Sequence, residues 1–320
     1  MSRKTIIFGN GLGMALDPAV FSLDHAMECA WKDSSLTAKQ KQLVCNCLPK
    51  EHPKRPHSEA DLGALQVALS ACEFLGHFEA ADAHWLTDDG RQFPKATRKF
   101  LYKTALQFQK TGKALPATFI DPLVEFIQNT KSHIGTLNYD NLLYQPLIED
   151  GVLSGYDGQL VDGFHRDGFD PANMERKFGR TFGYYLHLHG SPLFVERDGV
   201  VIKLLQSSLT FPKDRVSSHI VLTHFDHKIM VISSSKLLLA YWNLLSRALD
   251  ESSQIILFGY SGADSHLNEI IKSISKKRVK VVEWDGSGDE QQRSSFWRSA
   301  IGRDVELVHR KSILTFHDWA

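Results

Sequence analysis

The sequence KTIIFGNGLG at residues 4–13 is a short apolar, β-branched run that passes directly into Gly9-Asn10-Gly11. Such a run predicts a buried strand that enters a tight turn. Glycines at that point let the backbone approach a pyrophosphate closely and leave amide N–H groups to donate to it. The spacing departs from the full dinucleotide fingerprint, because Met14 stands where a glycine is needed. A short glycine-rich turn is also common where no nucleotide binds.

Four later segments repeat this arrangement, in which an apolar strand ends in polar residues or glycine. These strand ends lie at residues 138–140, 189–191 and 259–264 and at Asp285. Short apolar strands that alternate with helices predict an α/β fold, a Rossmann-like parallel sheet with helices on both faces. Ligands bind at the carboxyl ends of the strands in such sheets, so we expect all of these segments to converge on one edge.

Residues from about 22 to 112 differ from the rest, because they hold helical patterns and few strand signals. They predict a mostly helical insertion within a single domain that spans residues 1–320. A polar stretch at residues 49–56 predicts a loop inside this region.

Three local patterns predict further elements in the second half of the chain. Asp198-Gly199, between two short apolar runs, predicts a hairpin. Residues 229–232, with the sequence IMVI, predict a short strand. Asp264 is placed to cap a helix over residues 265–275.

The amino-acid composition limits the partners and the cellular location that we expect for this protein. Lys plus Arg and Asp plus Glu each number 37, so the formal net charge is zero, and no nucleic-acid partner is directly indicated. Four cysteines without a disulfide framework fit a reducing compartment. The N-terminal apolar run is too short for a signal peptide, and no apolar stretch reaches the length of a membrane span. We therefore expect a cytoplasmic protein with no membrane contact.

The first candidate site is TLNYD at residues 136–140. An amide at the end of a buried strand, here Asn138, can hold a ribose hydroxyl or a water molecule. Asn138 or Asp140 equally suits the capping of the helix that follows.

The second candidate is HLHGSP, which begins at His187. His187 and His189 lie two residues apart on a strand and share one face. The imidazole titrates near neutrality, so His189 suits general-base work. A buried, hydrogen-bonded histidine and a metal ligand remain alternatives; His224, Asp226 and His227 would complete a metal set, although their spacing matches no established zinc pattern.

The third candidate is FGYSGAD at residues 258–264. Gly259 and Gly262 allow close backbone approach, and Ser261 offers a hydroxyl to a phosphate or a ribose. A strand-to-helix connection that binds no ligand fits the local sequence as well. Cys45-x-Cys47 has no second cysteine pair and indicates no metal role.

In their order along the chain, these segments resemble the sirtuin family. Sirtuins carry a Gly-Ala-Gly turn, then Thr-Gln-Asn-Ile-Asp, His-Gly and Gly-Thr/Tyr-Ser. The counterparts here are Gly9-Asn10-Gly11, Thr136-Leu137-Asn138-Tyr139-Asp140, His189-Gly190-Ser191 and Gly259-Tyr260-Ser261. The Tyr-Ser-x-x-Asp form that ends at Asp264 is more similar to the divergent bacterial sirtuin-like domains of antiphage defence. The resemblance covers the first turn and most of residues 130–290, and it leaves the helical region unexplained.

One departure from the family bears on the activity. Its protein deacylases hold a zinc ion between two Cys-x-x-Cys pairs, whereas residues 190–258 contain no cysteine here. The defence-type relatives lack this zinc module and hydrolyse NAD. The resemblance therefore implies an NAD hydrolase, with NAD as the substrate and no metal.

The resemblance also implies roles for individual residues. Asn138 would orient water or a ribose hydroxyl, His189 would act as a base, and Asp140 would orient Asn138 or the ribose. The nucleotide would be bound by Gly9, Asn10 and Gly11 at the pyrophosphate, by Gly259, Ser261 and Asp264 along the adenosine half, and by Asp285 at the adenine or its ribose.

Restraint of the activity is a further implication, because an unrestrained NAD hydrolase would exhaust the cofactor of the cell. We expect a homo-oligomer or a regulatory partner protein in a defence complex, with residues 22–112 as the interface. The alternatives are a sensor that binds NAD or an NAD-derived nucleotide without cleaving it, an NAD-dependent protein deacylase, and a structural subunit of a defence complex.

Overall fold

A computed structural model describes residues 2–48, 54–78, 83–204, 217, 219–274 and 276–319. Within these ranges the strands are β1 Thr5–Phe8, β2 His133–Thr136, β3 Leu160–Val161, β4 Phe164–His165, β5 Gly168–Phe169, β6 Gly183–His187, β7 Phe194–Arg197, β8 Val200–Lys203, β9 Gln254–Phe258, β10 Arg278–Trp284 and β11 Glu306–Arg310. The helices are α1 Gly11–Leu16, α2 Pro18–Phe21, α3 Leu23–Lys32, α4 Ala38–Asn46, α5 Glu59–Gly76, α6 Asp88–Gln107, α7 Ala117–Thr130, α8 Tyr144–Glu149, α9 Lys228–Ser234, α10 Lys236–Glu251, α11 Ser265–Ser273 and α12 Glu290–Ile301.

Seven strands form one parallel sheet in the order β11-β10-β9-β1-β2-β6-β3. Every residue of β1, β2, β6 and β9 is buried. Burial on both faces explains why most of these strands are near-continuous apolar runs rather than alternating ones. The predicted α/β fold with a Rossmann-like parallel sheet is confirmed.

The strand order changes direction beside β1. From β1 the chain moves outward to β2 and β6, then returns to the other side of β1 at β9 and continues to β10 and β11. Connections between parallel strands are right-handed, so the two directions place their helices on opposite faces of the sheet. The switch point between β1 and β9 is where such sheets leave a crevice for ligands.

The described part of residues 22–112 forms helices α3 to α6 and no strand, as the pattern predicts. Helix α6 packs against α3, α4 and α5. Helix α5 begins with a capping box, in which Ser58 Oγ accepts from the Asp61 N–H and the Asp61 carboxylate accepts from the Ser58 N–H. Of the predicted loop at residues 49–56, residues 49–53 lie outside the described residues. Among the described helices, none alone is long and apolar enough to cross a membrane, and one pair bent by 111°, α9 with α10, meets that test together.

Two local predictions are confirmed and one is wrong. Asp198 and Gly199 have φ of 52° and 77° and join the antiparallel strands β7 and β8, as a hairpin turn requires. The Asp264 side chain accepts from the Leu267 N–H and caps α11. Residues 229–232 are not a strand but part of α9, whose buried positions Lys228, Val231 and Ile232 follow helical spacing. A four-residue apolar run fits both periods, so sequence alone does not separate them.

His187 is buried in the sheet among aromatic rings. The rings of Tyr144, Tyr185 and Phe194 have centroids 4.7–5.0 Å from that of the imidazole. Neither ring nitrogen of His187 has a hydrogen-bond partner among the described residues. Burial lowers the pKa of His187 from 6.5 to about 3, so the folded protein holds a neutral imidazole here.

This histidine makes the stability of the fold sensitive to acid. Below pH ~6.5 His187 becomes protonated in the unfolded chain but stays neutral in the folded chain. The free energy of unfolding therefore falls as the pH drops toward 4. We expect His187→Leu to remove at most about 3 kcal/mol of the loss between pH 7 and pH 4. The measurement is urea unfolding at both pH values.

The matched control is His84→Leu, because His84 is exposed. It should keep the pH dependence of the wild type. Burial raises the pKa of Asp140 to about 6, so its protonation increases the free energy of unfolding as the pH falls. This contribution is the same in the wild type, His187→Leu and His84→Leu. Equal pH dependence in His187→Leu and the wild type would contradict the assignment.

Candidate functional site

A cavity of about 190 Å³ lies at the carboxyl ends of the central strands, at the switch point of the sheet. Eight residues singled out in the sequence line it: Gly9, Asn10, Gly11, Asn138, His189, Gly259, Ser261 and Asp264. Asn138 and His189, which follow β2 and β6, therefore face the same cavity from the same edge of the sheet.

The turns after β1 and β9 are in direct backbone contact. The Gly11 N–H donates to Gly259 O at 2.8 Å, and the Gly9 N–H donates to Phe258 O at 2.9 Å. A Cβ on Gly9 or on Gly11 would stand 2.6 Å from Gly259 O, which no real side chain tolerates. The expectation that these glycines leave their amides for a pyrophosphate is wrong for Gly9 and Gly11. Their amides are used within the protein, and the absence of side chains lets the two turns meet.

Gly259 offers a test of this contact with a matched control. Gly259 and Gly112 have nearly the same left-handed φ, 58° and 62°, but a Cβ on Gly259 would lie 2.8 Å from Leu12 N, whereas Gly112 has open space. We expect Gly112→Ala to cost about 1 kcal/mol from backbone strain alone. Gly259→Ala should cost about 2–4 kcal/mol, since steric displacement adds to the same strain. Equal losses in urea unfolding would show that the contact contributes nothing.

Asn138 is held by the first of these turns. Its Nδ2 donates to Gly9 O at 3.1 Å, which fixes the orientation of the amide. Its Oδ1 is buried and has no hydrogen-bond partner among the described residues. A buried acceptor without a partner costs free energy, so Oδ1 is suited to accept from a ligand hydroxyl or a bound water. The expected capping role is filled by neither residue: Asp140 Oδ1 accepts from the Leu142 N–H at 3.0 Å in the turn before α8, and α8 begins after Leu143 without a side-chain cap.

Two of the predicted site residues do not reach the cavity. Asp140 is buried, and it lies outside the residues that line the cavity. Asp285 begins an exposed 3-10 turn over Asp285–Ser287 after β10 and is also absent from the lining. The structure thus brings together eight of the ten predicted residues and leaves these two carboxylates apart.

His189, Asp264 and Lys228 form a buried polar network beside the cavity. Asp264 Oδ2 lies 3.0 Å from His189 Nε2 and 2.9 Å from Lys228 Nζ. All three residues are less than 10% exposed. Burial alone would raise the pKa of Asp264, but the hydrogen bonds and charges of His189 and Lys228 hold it well below its usual range. Asp264 is therefore ionised and fully partnered.

The same network sets the protonation of His189. Burial, and then the nearby charge of Lys228, lower the pKa of His189, while Asp264 opposes the shift. The imidazole is thus neutral at pH 7. Because the Asp264 carboxylate can only accept, Nε2 carries the ring proton and Nδ1 keeps its lone pair. The neutral ring is poised to take up a proton at Nδ1.

Four other cavity residues, Glu59, Tyr139, Thr223 and Lys228, are not among the predicted site residues. The Tyr139 hydroxyl donates to Val221 O at 2.5 Å. Thr223 is 3% exposed, and its Oγ1 has no hydrogen-bond partner among the described residues. Tyr139 lies inside the TLNYD segment, so a sequence motif pointed to it. Glu59, Thr223 and Lys228 reach the cavity through tertiary packing, and no sequence motif pointed to them.

The proposed metal set of His224, Asp226 and His227 forms no compact cluster. Across the described ranges, no group of three or more His, Cys, Asp or Glu side chains is placed to hold a metal ion. His224 Nδ1 lies 3.1 Å from Asp226 Oδ2, as a local pair on the turn that precedes α9.

Removal of the Lys228 charge should change the titration of His189. In Lys228→Met the Asp264 carboxylate faces His189 without a competing cation, so the pKa of His189 rises. Histidine-selective NMR titration measures it directly. Lys272→Met removes an exposed lysine that pairs with Glu269, and it should leave His189 unchanged. A pKa of His189 that falls or stays constant in Lys228→Met would contradict the network.

The sheet, its switch point and the polar cavity there define a Rossmann-like α/β protein with a ligand site at the strand ends. Residues 132–300, just over half of the chain, match the family of SIR2-like domains. The chain belongs to the SIR2-like domain family. This membership indicates an activity that involves NAD. The matched range contains Asn138, His189, Lys228 and Asp264 but neither the first turn nor the helical region. No curated protein matches the chain.

Proposed function

We propose that this protein is an NAD hydrolase, which cleaves the bond between nicotinamide and ribose and releases nicotinamide and ADP-ribose. The observation that carries the proposal is that one cavity holds both the neutral imidazole of His189 and the Asn138 Oδ1, which has no hydrogen-bond partner among the described residues. Membership of the SIR2-like family supports NAD as the molecule that enters this cavity.

Cleavage of the nicotinamide–ribose bond requires the protein mainly to position the reacting groups. Nicotinamide leaves as a neutral base from a cationic precursor, so the leaving group needs no proton. The protein must position the ribose, stabilise oxocarbenium-like charge and supply a water molecule. Asn138 Oδ1 accepts from that water or from a ribose hydroxyl, and His189 takes up the proton. Asp264 then stabilises the imidazolium, as its hydrogen bond to Nε2 allows.

We assign three roles differently from those that the resemblance implied. We assign Asp264 to the support of His189, to which it is hydrogen-bonded, rather than to the adenosine half. The Gly9 and Gly11 amides already donate to the β9 strand and its turn, so we assign the nucleotide contacts at this edge to Asn10 and Ser261. Asp140 contributes to the turn that presents Asn138.

Restraint by a homo-oligomer or a regulatory partner and a role in antiphage defence belong to the same proposal. So does the organisation as one domain with a helical insertion over about residues 22–112. Restraint and the defence role rest on the resemblance to defence-type relatives and not on the chemistry of the site, whereas the domain organisation rests on the helical pattern of residues 22–112.

The direct test mixes the purified chain with NAD and follows nicotinamide and ADP-ribose by chromatography. We expect turnover in the wild type and a loss of about 100-fold or more in Asn138→Ala and in His189→Ala, the size usual for a lost general base. His84→Ala removes an exposed imidazole away from the cavity and should keep full activity.

Two other outcomes would replace the proposal. NAD that binds to the wild type but is not cleaved, with or without other proteins of the source cell, identifies a sensor. Nicotinamide release that depends strictly on an acyl-lysine peptide identifies a deacylase, for which the cysteine-free residues 190–258 offer no zinc module.

A further inference from the structure

The charges that line the cavity do not cancel. Its ionisable residues are Glu59, His189, Lys228 and Asp264, besides Tyr139 and Tyr260, which stay neutral because burial raises the pKa of both. Lys228 and Asp264 neutralise each other, and His189 is uncharged at pH 7. Within the described part of the chain, the Glu59 carboxylate has neither an ion pair nor a hydrogen bond, so the cavity carries one net negative charge.

Packing holds Glu59 at one end of the cavity. Glu59 is the first residue of α5, directly after the capping residue Ser58. The α5 helix packs against the 3-10 turn Phe225–His227 that leads into Lys228. Gly63, one turn further along α5, has no room for a side chain, because a Cβ there would stand 2.6 Å from the His224 Cβ. The close approach of these two elements therefore brings the α5 N-terminus to the side of the cavity that Lys228 occupies.

The charge of Glu59 acts on two groups at the centre of the site, Tyr139 and His189. It contributes to raising the pKa of Tyr139 and acts to raise that of His189. The same cavity also contains Thr223, whose buried Oγ1 has no partner in the part of the chain that the structure describes and can donate or accept a hydrogen bond. Among the described residues, the cavity thus combines an anion and a hydroxyl that both lack partners with a neutral imidazole.

We propose that Glu59 selects the oxidised, positively charged nicotinamide ring of NAD against the neutral reduced ring, with Thr223 bonded to the ring carboxamide. The inference rests on the proposed function and names the redox form of the substrate and the residue that recognises it. A carboxylate near the ring nitrogen attracts the cation and repels the two phosphates, so it also orients the dinucleotide with its nicotinamide at this end.

The expected effect is moderate, because Glu59 is exposed at the rim and water screens its charge. A preference of about threefold to tenfold for the oxidised ring follows from an attraction in high effective dielectric. It should weaken as salt is added, since exposed charges are screened within about 8–10 Å at physiological ionic strength.

The experiment measures binding with probes that the protein does not cleave. Carbocyclic NAD, in its oxidised and reduced forms, and ADP-ribose are titrated by calorimetry into the wild type and Glu59→Gln. We expect the wild type to bind the oxidised form more tightly than the reduced form, and Glu59→Gln to bind the two equally. ADP-ribose, which lacks the ring, should bind no more weakly to Glu59→Gln than to the wild type.

Two further variants sharpen the result. Glu125→Gln removes an exposed carboxylate on α7 outside the cavity and should keep the wild-type preference. Glu59→Lys should reverse the preference, and thermal unfolding shows whether each variant is folded. An unchanged preference in Glu59→Gln, or no preference in a wild type that binds both forms, overturns the inference while the proposed function stands. A wild type that binds none of the three probes overturns both.

Discussion

The site depends on the backbone contact between two turns at the centre of the sheet. Gly11 N–H donates to Gly259 O at 2.8 Å, and no side chain fits between the turns that follow β1 and β9. Asn138 is fixed through the Gly9 carbonyl of the first turn, and Asp264 lies five residues beyond Gly259 in the second. Asn138 directly, and His189 through Asp264, are thereby both tied to this junction, although they come from distant parts of the chain. Sheet order brings the strand ends together, and the turns that follow the strands place these side chains.

Asp264 links local structure to the chemistry of the site. One oxygen caps α11, and the other accepts from His189 and Lys228. Removing a carboxylate and an ammonium from water costs free energy. Their mutual attraction offsets this cost only when the geometry is good and the hydrogen bonds are satisfied. A network of this kind is weak evidence for stability, but it is a common way to set the protonation of a functional imidazole. Here it leaves His189 neutral, with Nε2 hydrogen-bonded to Asp264.

The cavity is not the product of the SIR2-like range alone. Residues 132–300 carry Asn138 and the buried network, whereas the first turn and Glu59 lie outside that range. Glu59 comes from α5, so the helical region forms part of the cavity wall. A segment that is extra to the sheet therefore contributes a charged residue to a cavity at the strand ends.

The sequence by itself determined what depends on neighbours along the chain. Strand β1 with its glycine turn, the hairpin at Asp198-Gly199 and the Asp264 cap were all predictable, because period, turn chemistry and capping act over a few residues. Only the tertiary structure decided that residues 229–232 are helical, that Lys228 joins Asp264, and that Asp140 and Asp285 stay outside the cavity. It also decided that the Gly9 and Gly11 amides bond to β9 and its turn rather than remaining available. Each of these depends on which distant segment packs alongside, and neither local propensity nor hydrophobic period carries that information.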